Sequence, residues 1–211
     1  MSQTAVVTGG SGAIGGEIVK ELRARGWKVV SLSRREGCDI SNETQVMEAF
    51  SRLKSLDALI NCAAVLIKKP LLRMSAEDWD EQLGAGLRGA FLCSREAFRL
   101  MQGRGGSIVM ISSLSGVAGA EKFPGMAAYV AAKSGLAGLT EALAAEGREH
   151  GIRVNAVSPG AVDTPMLRIA GVEGPALQPA EVARVAVWLA SPESAPISGA
   201  NLRMDPPGSR A

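Results

Sequence analysis

Histidine is almost missing from this chain. His150 is the single example, and the three cysteines, Cys38, Cys62 and Cys93, are scattered with no CxxC pair among them. Neither a zinc site nor a disulfide framework is expected from that set, and no metal is assigned. Aromatic residues make up only 4% of the chain, which argues against the base-stacking platforms of single-strand nucleic-acid binders. An excess of one charge is also lacking. The 23 basic and 21 acidic side chains leave a net charge of +2. With no basic run or stripe among them, nucleic acid is not an expected partner. No apolar run reaches the roughly 18 residues that a membrane span requires. Met1-Ser2-Gln3-Thr4 has neither the charged nor the apolar stretch of a secretory signal. The nucleophile-elbow pattern GxSxG is absent too, which weighs against a hydrolase. These absences point to a globular protein of a reducing cytoplasm.

What is present is ordinary in bulk: 211 residues, 46% apolar and 21% charged, with 25 glycines. That length suits a single domain over residues 1–211 with a substantial core. Short β-branched runs alternate with longer amphipathic stretches. Strands are expected at 4–8, 28–32, 58–60, 107–111, 153–157 and 202–204. Helices are expected at about 13–25, 43–53, 76–101, 129–149 and 179–189, the third loosened by Gly84, Gly86 and Gly89. Apolar strands alternating with helices indicate βαβ units, and hence an α/β, Rossmann-like, doubly wound parallel sheet with helices on both faces.

Thr8-Gly9-Gly10-Ser11-Gly12-Ala13-Ile14-Gly15 follows the first strand and opens the first helix. Gly9 permits a sharp turn, the small Ala13 and Gly15 let helix and strand pack closely, and the first helical amides can hold a pyrophosphate. A plain Gly-rich turn would look the same locally. The second strand ends in Ser31-Leu32-Ser33-Arg34-Arg35, with no acid where the ribose hydroxyls of NAD would be held. Arg34 suits the 2′-phosphate of NADP(H), which is therefore favoured over NAD(H). The other reading is that Arg34 and Arg35 only solubilise a loop.

Tyr129-Val130-Ala131-Ala132-Lys133 places Tyr129 and Lys133 on one helical face. A tyrosine with a pKa of about 10 is a poor proton carrier at neutral pH, and a neighbouring ammonium stabilises its phenolate. Such a pair also arises by chance. Here it follows an apolar strand ending in Ser112-Ser113, and parallel strands deliver ligand sites at their carboxyl ends. A serine there either bonds a substrate carbonyl or caps a turn.

Taken in order, these segments resemble the short-chain dehydrogenase/reductase family over almost the whole chain. The family's glycine-rich turn is similar to 8–15, with Ser11 and Ile14 inside it and Ala13 where glycine is usual. Its acidic residue near the adenine matches Asp39 in Cys38-Asp39-Ile40-Ser41, with Ile40 beside it. Asn61-Cys62-Ala63-Ala64 stands where the family has Asn-Asn-Ala-Gly, keeping Asn61. The segment from Arg153 through Pro159 and Gly160 resembles the stretch before the nicotinamide, where Val162 and Thr164 would contact the carboxamide. The catalytic serine, tyrosine and lysine match Ser113, Tyr129 and Lys133. The resemblance implies hydride transfer between the nicotinamide and a small-molecule carbonyl or alcohol. Tyr129 would act as general acid/base, Lys133 would lower its pKa and bind ribose, and Ser113 would polarise the carbonyl. It also implies a homo-dimer or homo-tetramer through the helices near 87–101 and 129–149.

The chain departs from the family pattern in places. Gly86 occupies the position of the proton-relay asparagine. The second strand runs into Asp39 almost at once, so the third strand and its preceding helix are expected to be reduced and the adenine pocket open. The stretch between Thr164 and Pro179 is short and implies a small lid, while extra length at 121–126 offers a recognition loop. A non-catalytic dinucleotide-binding redox sensor is the competing function. Ser113, Tyr129 and Lys133 together weigh against it, and Gly86 weighs slightly for it.

Overall fold

The computed structural model describes residues 2–206 and Gly208. Its centre is a six-stranded parallel sheet built from β1 (Thr4–Thr8), β2 (Lys28–Leu32), β3 (Ala58–Asn61), β4 (Gly106–Ile111), β5 (Ile152–Pro159) and β6 (Asn201–Met204). The strand order is β2-β1-β3-β4-β5-β6. Side chains alternate across a strand, and both sets are apolar here, so both faces need covering. Val6, Leu59, Ile108, Met110 and Val154 pack on one face. On that side lie α2 (Glu43–Ser51), α4 (Gly89–Met101) and α5 (Ala127–Gly147), through Phe50, Leu92 and Leu136. Ala5, Val7, Ile60, Val109 and Val157 face the other way. They meet Ile18 and Leu22 of α1 (Ala13–Ala24) and Val182 and Ala186 of α7 (Pro179–Ala190). This is the doubly wound, Rossmann-like arrangement that alternating strands and helices dictate.

Among the described residues no strand lies outside β2. After Leu32 the chain makes a 3₁₀ turn at Arg34–Glu36 and passes directly to α2. The reduction expected there is complete, and β2 is the sheet edge. The expected break in the helix at 76–101 is equally concrete. α3 (Ala76–Leu83) and α4 are joined by a π-helical turn at Gly84–Arg88, where Gly84 and Gly86, with Gly89 just after them, lower the cost of leaving α geometry. Gly89 has a further reason to lack a side chain, since a Cβ there would come within 2.6 Å of Ile40 Cδ1. Sequence patterning does not predict the short helix α6 (Pro165–Ala170), although Thr164 caps it by accepting a hydrogen bond from Leu167 N and Pro165 opens it.

The far end of the sheet is fastened by Arg153 on β5. Its Nη2 donates to the carbonyls of Leu189 and Ser191, and its Nη1 to the carbonyls of Ser194 and Ile197. A permanent cation thus satisfies the orphan carbonyls where α7 ends, matching the negative end of the helix dipole. Replacing it would strand several partly buried acceptors at once. Arg153→Met is expected to cost about 3 kcal/mol and lower the melting temperature by roughly 6–12 °C in thermal denaturation. A drop under about 2 °C would show that the network contributes little.

Candidate active site

The order of strands reverses between β1 and its neighbours, and parallel strands open a crevice at their carboxyl ends there. A continuous cleft of about 1580 Å³ runs along this edge. Its first wall is the turn from β1 into α1. Gly9 has φ +69°, and a Cβ on it would lie 2.8 Å from Ala63 Cα; a Cβ on Gly15 would lie 2.2 Å from the Gly9 carbonyl oxygen. These glycines let backbone segments meet where no other residue fits. The first turn of α1 holds no acidic residue, and no side chain caps it. Thr8 Oγ1 accepts from the Cys62 and Ala63 amides at 3.0 and 3.1 Å, tying the end of β1 to the turn after β3.

Arg34, Asp39 and Ile40 form the outer end of the cleft. Burial opposes the charge on Asp39, but hydrogen bonds from Ser41 N and Oγ and the nearby Arg34 outweigh it, holding the carboxyl below its ordinary range. Arg34 also meets Glu81 of α3 at 3.3 Å, with both side chains about half exposed. A pair so exposed is weak and yields readily to a stronger anion.

The inner end is built by β4 and α5. Ser112 and Ser113 follow β4 and divide the work. Ser112 Oγ donates to the Lys133 carbonyl at 2.9 Å and locks the helix to the strand. Ser113 faces the cleft, where its hydroxyl accepts from Ser115 N and interacts with Tyr129, the only tyrosine in the chain. Lys133 is 3% exposed, and its amine donates to the Ile111 carbonyl at 2.6 Å while standing 5.6 Å from the Tyr129 ring centre. Burial without a carboxylate partner pulls the Lys133 ammonium down to about 8.

The lowering of the Tyr129 pKa expected from Lys133 is not what this geometry gives. Loss of water pushes the phenol up, Cys62 adds to the rise, and the Ser113 hydrogen bond opposes it. Lys133 lies against the ring and donates to a backbone carbonyl, and the Tyr129 shift follows burial, Ser113 and Cys62. Cys62 is a further member of the inner cleft that patterning does not single out. Burial drives its thiol up to about 11 while Lys133 pulls the other way, so the sulfur stays protonated at neutral pH.

Of the residues to which the sequence points, the turn residues Gly9, Ser11, Ala13, Ile14 and Gly15 all line the cleft. Pro159, Gly160, Val162 and Thr164 line it below the inner end. Asn61 does not. It is 3% exposed behind the wall, donating to Ser94 Oγ and the Met110 sulfur with its own amide oxygen unpartnered. The lining comes instead from Cys62, Ala63 and Ala64, because Asn61 still belongs to the strand and its side chain alternates into the core. Gly86 is likewise buried, and a Cβ there would lie 3.3 Å from Ala132 Cβ on α5. Its neighbour Ala85 reaches the cleft. The loop after β3 is held by Gln82, whose amide both accepts from Ile67 N and donates to Ile67 O. No sequence signal marks that contact, which exists only once α3 and the loop meet.

Comparison with known proteins agrees with this architecture. A family model described as Enoyl-(Acyl carrier protein) reductase matches residues 17–206. The chain is 33% identical to a 3-oxoacyl-acyl-carrier-protein reductase of Rickettsia bellii, covering 96% of this chain and 95% of that one. It is 34% identical to an acetoacetyl-CoA reductase of Rhizobium meliloti, covering 96% of each. Among solved structures, the ligand-free aldohexose dehydrogenase of Thermoplasma acidophilum superposes with a TM-score of 0.89 at 27% identity, covering 100% of this chain and 97% of that one. With its cleft, its parallel sheet and these relatives, the chain belongs to the short-chain dehydrogenase/reductase family of oxidoreductases.

Proposed function

We propose that residues 1–211 act as one unit, an NADP(H)-dependent oxidoreductase that interconverts a carbonyl compound and its alcohol. The observation that carries this reading is the placement of Ser113, Tyr129 and Lys133 on one wall of the cleft that begins at the glycine turn. The residues suit a dinucleotide. An uncapped, acid-free helix start and the close-packed Gly9 and Gly15 cradle a pyrophosphate. Arg34, with Arg35 beside it, meets a 2′-phosphate, Asp39 and Ile40 flank the adenine, and Pro159, Gly160, Val162 and Thr164 flank the nicotinamide. The cofactor would supply the hydride; NAD(H) is the alternative.

The chain's own groups do the rest. In reduction the Tyr129 hydroxyl, protonated at neutral pH, gives its proton to the carbonyl oxygen as the alcohol forms. Ser113 donates a hydrogen bond to the same oxygen and polarises it. Lys133 holds a positive charge beneath the site, and the N–H bonds that it does not give to Ile111 would hold the ribose. The reading extends to a homo-dimer or homo-tetramer through α4 and α5, where Phe91 is 44% exposed and borders a shallow groove with Leu87, Gly135 and Leu139. A redox sensor without turnover is the weaker reading, because it leaves the Ser113–Tyr129–Lys133 grouping without a use.

Tyr129→Phe is expected to lower kcat for ketone reduction by about 10²–10⁴-fold with cofactor binding retained. Unchanged turnover would remove Tyr129 from the chemistry. Arg34→Ala is expected to weaken NADPH binding about tenfold and leave NADH binding unchanged, as read by fluorescence titration. Equal losses for both cofactors would contradict a 2′-phosphate site. Lys133 has its pKa depressed below that of a free lysine, so its charge is present below about pH 8 and lost as pH rises through that value. The kcat/KM for reduction should therefore fall above about pH 8. In Lys133→Arg, which keeps its charge, that limb should vanish.

A further inference from the structure

Residues 164–176 leave the sheet and return as a short loop against the inner end of the cleft. The two ends of this loop are pinned together. Asp163 N donates to the Leu177 carbonyl and Leu177 N to the Ala161 carbonyl, both at 2.9 Å. Inside it stands α6, whose Met166, Leu167 and Ile169 line the cleft. A helix of six residues is too short to hold itself in water, so α6 persists through what it touches. Ala170 is buried with Leu66 and Met126, and Tyr129, Met166 and Val172 pack against that cluster. Beyond this apolar contact a single hydrogen bond fastens the loop. Among the described residues, no other hydrogen bond or ion pair joins 164–176 to the rest of the chain.

That bond comes from Lys68, in the loop after β3, whose amine donates to the Ala170 carbonyl at 2.5 Å. The carbonyl is one that a helix end leaves without a partner, and a cation there meets the negative end of the helix. Gly171 turns the chain away with φ +62°, and a Cβ on it would stand 3.4 Å from Lys68 Nζ. On its way the lysine stem crosses the inserted loop at 121–126, since a Cβ on Gly125 would stand 3.3 Å from Lys68 Cγ. The backbone beneath Lys68 is held on both sides. Gln82, 1% exposed, grips Ile67 at its N–H and its carbonyl. Lys69 N donates to the Gly125 carbonyl at 3.0 Å, and Lys69 Nζ to the Asp78 carboxylate at 2.6 Å. Residues 67–69 thus form a strut between α3 and the inserted loop, and Lys68 reaches from it to α6. With that backbone already fixed, only the lysine stem has to be ordered when the bond forms.

We propose that Lys68 is a positioning residue, a latch that holds α6 against Tyr129 and so sets how firmly the cleft retains the reacting compound. The proposal rests on the oxidoreductase reading for what is retained, and goes further in naming the residue that keeps this wall in place. Lys68 does not itself line the cleft, so it acts through Met166, Leu167 and Ile169. The glycine turn, Arg34 and Asp39 belong to other elements and do not depend on the latch. A loss confined to the substrate, with the cofactor held as before, is therefore its signature.

The test compares full-length wild type with Lys68→Met, which keeps the stem and removes the donor, and Lys68→Arg, which restores a charged donor. Lys68 is exposed, so neither change opens a cavity, and circular dichroism checks the fold. Without cofactor or substrate, hydrogen exchange read by mass spectrometry over 164–176 is expected to quicken about fivefold in Lys68→Met. Exchange in α5 should not change, and Lys68→Arg should return to within about twofold of wild type. With NADPH and ethyl acetoacetate, KM for the ketone is expected to rise about fivefold in Lys68→Met. Its kcat should stay within about twofold, the NADPH Kd should not move, and Lys68→Arg should recover most of the KM. Unchanged exchange over 164–176, faster exchange with an unchanged KM, an equal loss of NADPH binding, or no rescue by arginine would overturn the proposal. If exchange responds as expected while wild type reduces neither ethyl acetoacetate nor 2-octanone, the oxidoreductase reading fails and the latch stands. If the ketones are reduced and exchange does not respond, the latch fails and that reading stands.

Discussion

The closeness of α5 to the end of β4 is the constraint on which the rest of the site depends. A Cβ on Gly116 would lie 2.5 Å from the Lys133 carbonyl carbon, and Ser112 Oγ bonds the carbonyl oxygen of the same residue. Strand end and helix are therefore fixed against each other by close backbone contact and one serine hydroxyl. Ser113 follows one residue after the bonding serine, Lys133 sits on the helix at the bond, and Tyr129 sits one turn before it. Their mutual placement follows from that seam. Packing at this density tolerates little displacement, which is what a site needs when it must hold a proton donor and a carbonyl in register.

Desolvation supplies the chemistry that placement alone does not. Lys133 is buried with a backbone carbonyl as its partner and no carboxylate, which brings its ammonium into the range where it titrates. The same loss of water raises the phenol of Tyr129 and the thiol of Cys62. One cavity thus weakens a cation and protects two protons. Tyr129 therefore holds its proton at neutral pH, while the rise makes its phenol a weaker acid.

Much of the fold was legible in the sequence because it rests on local periodicity. Alternating apolar faces at 4–8, 28–32 and 107–111 located strands to within a residue, and Gly84, Gly86 and Gly89 located the break between α3 and α4. The glycine turn and the Tyr129–Lys133 spacing were visible for the same reason: each is a short pattern tied to one element. What escaped was whatever depends on two elements meeting. Asn61 reads as a lining residue because it ends a strand, yet strand alternation turns its side chain into the core. The direction of the Tyr129 shift depends on how deep the hydroxyl lies and where the Lys133 amine points, and neither is written in a five-residue spacing. The helix α6 was missed although Thr164-Pro165 is a cap-and-start signal, since six residues leave too little periodicity to read. Gln82 and its grip on Ile67 had no signal at all.

The central claim is that this cleft passes a hydride to a carbonyl carbon while Tyr129 protonates the oxygen. Reduction of a ketone with NADPH carrying deuterium at the transferable C4 position, followed by mass spectrometry of the product, tests it directly. The account predicts an alcohol with one deuterium on the carbinol carbon, formed by wild type and nearly absent with Tyr129→Phe. An alcohol without deuterium, or equal product from the variant, would contradict it.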